Sequence, residues 1–226
     1  YLIKTIVTSN LADAIAKGYG IGLIEVLTGF RFIGQQILGF ETTGKSSYLF
    51  GFEESYGCLA GTYARDKDAV VATMLICELA AFYKSKGMTL YEGLQEVYKK
   101  YGFYKESIKS ITLKGIEGIE NMKKIMETFR SGTPEEIGGS KVVESRDYNA
   151  GTFKNYQTGE DGKVNLPKSN VLYYVLENGT WFCVRPSGTE PKIKIYFGSK
   201  GESLEAAEKN IENALDGVMK IVDSVL

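Results

Sequence analysis

Apolar positions in the first hundred residues alternate between short β-like runs and longer helical patterns. Residues 2–8, 23–28 and 48–52 are rich in β-branched and aromatic side chains, which predicts three strands. Residues 30–38 repeat apolar positions at helical spacing. Residues 66–86 are apolar on nearly every side, which predicts a long buried helix. This alternation of strands and helices is typical of a layered α/β domain.

The next helix is predicted from its own start signal. Thr89 and Glu92 have the spacing of a capping box, and an apolar stripe follows them. The pattern of apolar and polar positions changes around residues 101–103. We therefore place a domain boundary there, with a first domain over residues 1–102 and a second over residues 103–226.

The sequence pattern of the second domain predicts strands and two amphipathic helices. Asn178-Gly179 separates the apolar runs 171–177 and 180–185, which is a strong hairpin signal. Residues 119–129 and the segment after Ser203 carry helical stripes. The predicted fold class is thus α/β: a three-layer α/β/α domain with a mixed sheet. It is followed by an α+β, TBP-like domain whose antiparallel sheet packs on helices.

Composition restricts the kinds of partner. The chain has 226 residues, 43% of them hydrophobic and 24% charged, with a net charge of −1. This balance gives no general electrostatic case for nucleic acid or for an anionic membrane. No apolar run approaches the length of about 18–20 residues that a membrane span needs. The chain opens abruptly in a β-like run, without a targeting segment, which suggests a piece of a longer polypeptide.

Cysteine and histidine usage narrows the chemistry. The three widely spaced cysteines (Cys58, Cys77 and Cys183) predict reduced thiols in a cytoplasmic protein, not a disulfide framework or a zinc site. Histidine is absent, which excludes histidine-based catalytic triads and histidine metal sites within this chain. We predict no metal site in it.

One candidate site is a loop between two predicted strands of the second domain, with the sequence Arg-Pro-Ser-Gly-Thr-Glu-Pro over residues 185–191. The planar fork of Arg185 matches phosphate oxygens, and the hydroxyl groups of Ser187 and Thr189 add donors. Gly188 allows backbone N–H groups to approach an anion closely. The alternative is a tight turn whose arginine forms a surface ion pair.

A second candidate is the acidic loop after the third predicted strand, Phe-Glu-Glu-Ser-Tyr-Gly over residues 52–57. Carboxylates such as Glu53 accept hydrogen bonds from neighbouring sugar hydroxyls, and Ser55 adds a hydroxyl. Ligand-binding loops gather at the ends of strands in α/β sheets. The alternative is a solvated acidic loop.

Two further segments have simpler interpretations as well. In residues 65–68, Asp66 or Asp68 suits the N-terminal cap of a helix, whereas Lys67 suits a ligand contact and proton transfer. Residues 39–46 fit the pattern of a nucleotide-binding P-loop letter for letter. That loop needs a strand before it and a helix after it, and here the order is inverted, so we interpret it as a polar loop.

Four segments together resemble the α-D-phosphohexomutase family. The segment of residues 52–57 resembles the family's sugar-binding loop in its third domain, and residues 185–192 resemble the phosphate-binding loop of its fourth domain. Residues 27–34 and 65–70 also look like third-domain segments. The resemblance covers essentially the whole chain, and the form of the acidic loop resembles the phosphoglucomutase and phosphopentomutase branch.

The resemblance implies a function and a division of labour. The family's phosphoserine loop and magnesium loop lie in its first two domains, and neither occurs here. The chain is therefore expected to be the substrate-binding half of an enzyme that interconverts glucose 1-phosphate and glucose 6-phosphate through glucose 1,6-bisphosphate. Mg²⁺ would be bound by the missing N-terminal half. The piece alone should be inactive.

The same resemblance implies roles for particular residues. Arg185, Ser187, Gly188 and Thr189 would hold the phosphate that is not reacting. Glu53 and Ser55 would bind ring hydroxyls, and Thr28 and Gly29 would help to orient the sugar. Lys67 would contact substrate and help in proton transfer. Open alternatives are a phosphopentomutase or phosphomannomutase fragment, a non-catalytic sugar-phosphate-binding module, and a nucleotide-binding protein that uses residues 39–46.

Overall fold

The computed structural model describes residues 1–113, 115–188 and 190–226. The chain divides into two compact units, Tyr1–Phe103 and Tyr104–Leu226. Each unit has its own sheet and its own apolar core.

The first unit contains a four-stranded mixed sheet and four helices. Its strands are β1 (Leu2–Thr5), β2 (Leu23–Val26), β3 (Phe50–Phe52) and β4 (Cys58–Ala60). Its helices are α1 (Leu11–Tyr19), α2 (Phe30–Thr43), α3 (Ala69–Ser85) and α4 (Leu90–Tyr101). The strand order is β2-β1-β3-β4, in which β1 runs parallel to β2 and β3, and β4 runs antiparallel to β3.

The parallel strands set the position of the candidate residues. Because β1, β2 and β3 run in the same direction, the segments that follow them leave the sheet at one edge. Apolar side chains of α2, including Ile33 and Ile37, pack on Ile3 and Leu59 of the sheet. This packing fixes the first turn of α2 next to that edge.

The helix α2 extends further than predicted. The sequence pattern predicted a helix over residues 30–38, but α2 continues to Thr43 and ends at Gly44, which is left-handed with φ +63°. The hydroxyl groups of Thr42 and Thr43 donate to carbonyl oxygens one turn earlier. Residues 39–43 are therefore the C-terminal end of a helix and not a polar loop. A helix C-terminus has the wrong polarity for a phosphate.

The prediction that residues 66–86 form a buried helix is wrong on two points. The helix α3 begins only at Ala69, and none of its residues is buried. Sequence pattern alone cannot tell which partner covers an apolar helix. By contrast, the capping box of α4 is confirmed, with both reciprocal hydrogen bonds between Thr89 and Glu92 present.

The second unit is built on a larger, largely antiparallel sheet. Its strands are β5 (Phe103–Thr112), β6 (Glu136–Ile137), β7 (Ser140–Asp147), β8 (Thr152–Asn155), β9 (Asp161–Lys163), β10 (Leu172–Leu176), β11 (Trp181–Pro186) and β12 (Lys192–Gly201). The order is β5-β12-β11-β10-β7-β8-β9, with β6 beside β7, and neighbours from β12 to β9 are antiparallel. The helices are α5 (Gly115–Ser131) and α6 (Leu204–Asp223).

The core of this unit joins one face of the sheet to both helices. Phe129 of α5 and Val218 of α6 are fully buried with Phe182 and Ile195 of the sheet. The predicted hairpin is confirmed, because β10 and β11 pair antiparallel across a turn in which Gly179 has φ +80°. The fold class predicted from the sequence is thus confirmed for both units.

Candidate functional site

The acidic loop brings one carboxylate against a lysine. Glu53 follows β3 directly, and its backbone N–H donates to the carbonyl oxygen of Gly57 at 2.8 Å, which closes the loop. The Glu53 side chain is only 7% exposed, and its Oε1 lies 3.9 Å from Nζ of Lys67, which is half exposed. This ammonium also lies 5.9 Å from the centre of the Phe30 ring. A carboxylate and an ammonium at this separation offer an acceptor and a donor to one small polar ligand.

Gly57 is what allows this close arrangement. A Cβ atom at Gly57 would lie 2.6 Å from Cδ of Lys67 and 2.9 Å from Oε1 of Glu53. The backbone there is not left-handed, so the requirement for glycine comes from space alone. Glu53, Gly57 and Lys67, defined here as the sugar-loop cluster, therefore fit together without room for another methyl group.

The second carboxylate of the loop has a structural partner. Oε2 of Glu54 accepts a hydrogen bond from Oγ1 of Thr5 at 2.8 Å and from Oγ1 of Thr8 at 3.3 Å. Both threonines are buried, Thr5 at the end of β1 and Thr8 in the turn that follows it. Glu54 therefore anchors the loop to the central strand, and Glu53 is the carboxylate of the pair that faces Lys67.

The other predicted residues of this unit lie at the same edge of the sheet. Thr28 and Gly29 follow β2 and are half-buried, and Gly29 has φ +114°, which favours glycine. They directly precede Phe30, whose ring faces Lys67. Ser55 is exposed at the tip of the acidic loop, next to Tyr56, which is fully exposed and left-handed with φ +65°.

Two carboxylates flank Lys67 in sequence. Asp66 accepts from the backbone N–H and from Nζ of Lys67, and these bonds lower the pKa of Asp66. Asp68 caps α3 by accepting from the backbone N–H groups of Val70 and Val71, so the capping interpretation holds for this residue. A hydrogen bond donated by Tyr63, together with the two amides, keeps the pKa of Asp68 low, and it raises the pKa of Tyr63 to about 12.

The predicted phosphate loop joins β11 to β12. Arg185 lies on β11 opposite Lys194 of β12. The backbone N–H of Ser187 donates to the carbonyl oxygen of Lys192 at 2.7 Å, and Oγ of Ser187 accepts from the N–H of Glu190 at 3.3 Å. Thr189 lies outside the described residues. The loop is therefore a tight connection with its own internal hydrogen bonds.

This loop borders a cavity of about 390 Å³ in the second unit. Arg185, Ser187 and Gly188 line it together with Lys123 of α5 and Asn170. The described lining residues include no carboxylate, and in the described ranges no acidic side chain lies within ion-pair distance of Arg185. The alternative of a surface ion pair thus finds no support. Two cations without a carboxylate make the cavity suitable for an anion.

Gly188 and Asn170 add to this picture. Apart from its chain neighbours, no described residue has an atom within 4 Å of a Cβ built at Gly188, so there is room for a side chain there. Glycine at this position instead leaves the backbone open to a ligand. Oδ1 of Asn170 accepts from Arg130 at 2.7 Å, and this bond leaves the amide N–H₂ group of Asn170 as a donor.

Sequence reasoning missed Lys123, Ser169 and Asn170. Lys123 lies on α5 between Met122 and Met126, which line the same cavity, so its neighbours in the helical stripe were the available signal. Ser169 and Asn170 precede β10 and reach the loop only through the antiparallel pairing of β10 with β11. No local pattern in the sequence indicates that contact.

Both units match consecutive domains of one family. Residues 1–101 match the domain described as "Phosphoglucomutase/phosphomannomutase, alpha/beta/alpha domain III", and residues 117–214 match the "Phosphoglucomutase/phosphomannomutase, C-terminal domain". The chain belongs to the phosphoglucomutase/phosphomannomutase family. It corresponds to the C-terminal half of an α-D-phosphohexomutase.

Curated relatives in this family are named phosphoglucomutase. The protein of Staphylococcus saprophyticus is 35% identical over 212 residues, and that of Staphylococcus aureus strain RF122 is 39% identical over 212 residues. These alignments cover 94% and 93% of this chain but only 38% of each relative. The chain thus spans well under half the length of the phosphoglucomutases that it matches.

Solved structures of the family share the fold. A crystal structure of the phosphoglucomutase parafusin from Paramecium, in its open form, superposes with a TM-score of 0.66 at 20% identity, covering 98% of this chain and 38% of the other. A putative phosphomannomutase from Thermus thermophilus gives a TM-score of 0.60 at 17% identity, covering 98% and 36%. At these identities the likeness supports the fold alone.

Proposed function

We propose that this chain is the substrate-binding half of a phosphoglucomutase that interconverts glucose 1-phosphate and glucose 6-phosphate. The observation that carries the proposal is the cavity beside Arg185, which is lined by cations and has no carboxylate among its described lining residues. The sugar-loop cluster of the other unit supplies the complementary chemistry, with an acceptor for hydroxyl groups next to a lysine.

The residues of the two units have separate tasks in this proposal. Arg185, Ser187, Gly188 and Thr189 hold the phosphate group that is not reacting. Glu53 accepts hydrogen bonds from ring hydroxyls, Ser55 adds a further contact, and Thr28 with Gly29 orients the ring. Lys67 donates to the substrate and helps to move the proton of the hydroxyl that gains or loses the phosphoryl group.

The domains that precede this pair supply the phosphoserine. The phosphoryl group passes from that serine to a hydroxyl of the sugar phosphate, and glucose 1,6-bisphosphate is the intermediate. The sugar then presents its other phosphate to the serine, which regains a phosphoryl group. The phosphate that does not react is a different one before and after the sugar turns. A site of cationic groups and hydroxyl donors therefore suits it better than one shaped to a single end of the sugar.

Mg²⁺ binding is proposed for the domains that precede this pair. No group of three or more histidine, cysteine or acidic side chains in the described ranges could hold a metal ion. Since phosphoryl transfer depends on positioning and on neutralising charge, this chain would contribute the positioning.

A titration series tests the proposal. Glucose 1,6-bisphosphate and inorganic phosphate are each titrated into this chain and into its Arg185→Ala and Glu53→Gln variants. A charge-assisted hydrogen bond contributes about 1.5–3 kcal/mol, so either variant should bind the bisphosphate with an affinity about 10- to 150-fold lower. The affinity for inorganic phosphate should fall only in the Arg185→Ala variant. Unchanged affinity for the bisphosphate in both variants would refute the assignment.

Substrate choice and location belong to the same proposal. The curated relatives carry the name phosphoglucomutase, which favours glucose phosphates over mannose or pentose phosphates. Rates with a panel of the three sugar phosphates, measured on the longer polypeptide, would decide between them. Cys58, Cys77 and Cys183 form no disulfide bond in the described ranges, which fits a reducing compartment, and we place the enzyme in the cytoplasm. In the part of the chain that is described, no helix is long and apolar enough to cross a membrane.

A further inference from the structure

The backbone of Asn170 is fixed beside the cavity that Arg185 lines. Asn170 forms the apex of a three-residue turn, because the N–H of Val171 donates to the carbonyl oxygen of Ser169 at 2.8 Å. The N–H of Ser169 in turn donates to the carbonyl oxygen of Tyr148 at 3.3 Å. Since Val171 is buried and directly precedes β10, this turn is held against the sheet.

The side chain of Asn170 is fixed by hydrogen bonds that begin at Asp147. Oδ1 of Asp147 accepts from the backbone N–H groups of Asn149 and Ala150 at 2.8 and 3.2 Å, which holds this carboxylate in one orientation. Its Oδ2 accepts from Nε of Arg130 at 2.8 Å. The guanidinium group is rigid and planar, so this bond also directs its Nη2, which donates to Oδ1 of Asn170 at 2.7 Å. We call Asp147, Arg130 and Asn170 the Asn170 network.

The bond from Arg130 decides which end of the Asn170 amide can meet a ligand. An amide side chain has an acceptor oxygen at one end and two N–H donors at the other. Arg130 has donors only, so a reversed amide would place N–H groups against N–H groups. The oxygen therefore stays on Arg130, and the N–H₂ group is the end that can serve the cavity that Lys123 and Arg185 line.

We propose that Asn170 binds the phosphate group of the substrate through this N–H₂ group, and that Arg130 positions it. The inference rests on the proposed function and adds a phosphate contact from outside the loop of residues 185–191. Arg130 lines a neighbouring cavity and is paired with Asp147, so it acts through Asn170 and not on the anion itself. A carboxylate at position 170 would also accept from Arg130, but it would repel a phosphate. An amide satisfies both neighbours.

Substitutions of Asn170 separate phosphate binding from a structural role. Inorganic phosphate is titrated into this chain by NMR, and the free energy of unfolding is measured in denaturant. Asn170→Ala should lower the phosphate affinity about tenfold and also lower the stability, because it removes both contacts. Asn170→Asp should lower the affinity about 30-fold or more without lowering the stability, since the new carboxylate keeps the bond to Arg130. With a purely structural role, the affinities would instead follow the stabilities.

A variant of Arg130 tests the positioning. Arg130→Lys keeps the positive charge but replaces the planar fork by one ammonium group, which cannot hold Asp147 and Asn170 in the same geometry. It should lower the phosphate affinity about 3- to 10-fold by itself and have no further effect in the Asn170→Ala chain. Asn213→Asp is the matched control, because it makes the same change of charge at an exposed position of α6 that lines a different cavity. It should leave the affinity within about twofold.

The outcomes distinguish this inference from the proposed function. Phosphate affinity that is unchanged in Asn170→Asp would overturn the inference, as would losses from Arg130→Lys and Asn170→Ala that simply add. In both cases the proposed function stands if Arg185→Ala still lowers the affinity. If Arg185→Ala has no effect either, the proposed function fails as well.

Discussion

The Gly57→Ala substitution tests whether the sugar-loop cluster is as tightly fitted as the distances indicate. The added Cβ would lie 2.6 Å from Cδ of Lys67, whereas unstrained carbon atoms stay about 3.5–4.0 Å apart. It would also lie 2.9 Å from Oε1 of Glu53. Lys67 must therefore retreat by about 1 Å, and the Glu53 carboxylate must turn away as well.

The expected magnitude follows from that displacement. Moving a catalytic or positioning group by about 1 Å can cost about 100-fold in rate. The fold should barely respond, because the methyl group meets the ends of flexible side chains and the backbone at Gly57 is not left-handed. We expect kcat/KM for glucose 1-phosphate to fall about 100-fold in the longer polypeptide, and the free energy of unfolding of this chain to change by less than about 1 kcal/mol.

Steady-state kinetics and calorimetry measure the two quantities. Gly39→Ala is the matched control, because Gly39 lies within α2 and a Cβ there would meet no atom within 4 Å outside its chain neighbours and the backbone of its own helix. It should leave kcat/KM unchanged and stabilise the helix by about 0.5–1 kcal/mol. Full activity of the Gly57→Ala enzyme would refute the reasoning, as would a loss of activity matched by a comparable loss of stability.

Three other substitutions separate binding from stability. Lys123→Ala should lower the affinity for inorganic phosphate about 3- to 10-fold in a low-salt titration and by less at high salt. An unchanged affinity at low salt would contradict phosphate binding in the cavity beside Lys123. Glu54→Ala removes the acceptor of Thr5 and Thr8 and should lower the free energy of unfolding by about 1–3 kcal/mol without changing phosphate affinity. Tyr174→Phe removes a buried hydroxyl group that donates to the carbonyl oxygen of Phe129, and calorimetry should record a loss of about 1–3 kcal/mol; an unchanged midpoint would contradict that bond.

Local chemistry determines much of this fold, which is why the sequence predicted it. The capping box at Thr89 and the turn at Asn178-Gly179 depend on residues a few positions apart, and both occur as expected. The strand β7 was not predicted. It carries a mixture of polar and apolar residues, so its own pattern does not predict a strand. Pairing with β8, which is polar, and with β10, which is distant in the sequence, stabilises it, and no local pattern indicates these partners.

Motif residues were predictable to a similar extent. Glu53 and Lys67 belong to recognisable segments, and the structure brings them to within 3.9 Å of each other. Glu54 lies directly beside Glu53 in the same segment, but its bond to Thr5 crosses 49 positions, so its structural role could not be inferred. The burial predicted for α3 failed because burial depends on a covering partner, and pattern alone does not identify one.

The hydrogen bonds around Asp68 bear on how loss of activity at acid pH should be interpreted for the longer polypeptide. Because the pKa of this carboxyl is lowered, its stabilisation of α3 is complete above the ordinary carboxyl value and is lost as the pH falls through the lowered one. Lys67 is the preceding residue. Inactivation at such low pH would then result from loss of the cap at the N-terminus of α3, next to Lys67. It would not measure the titration of the groups that react.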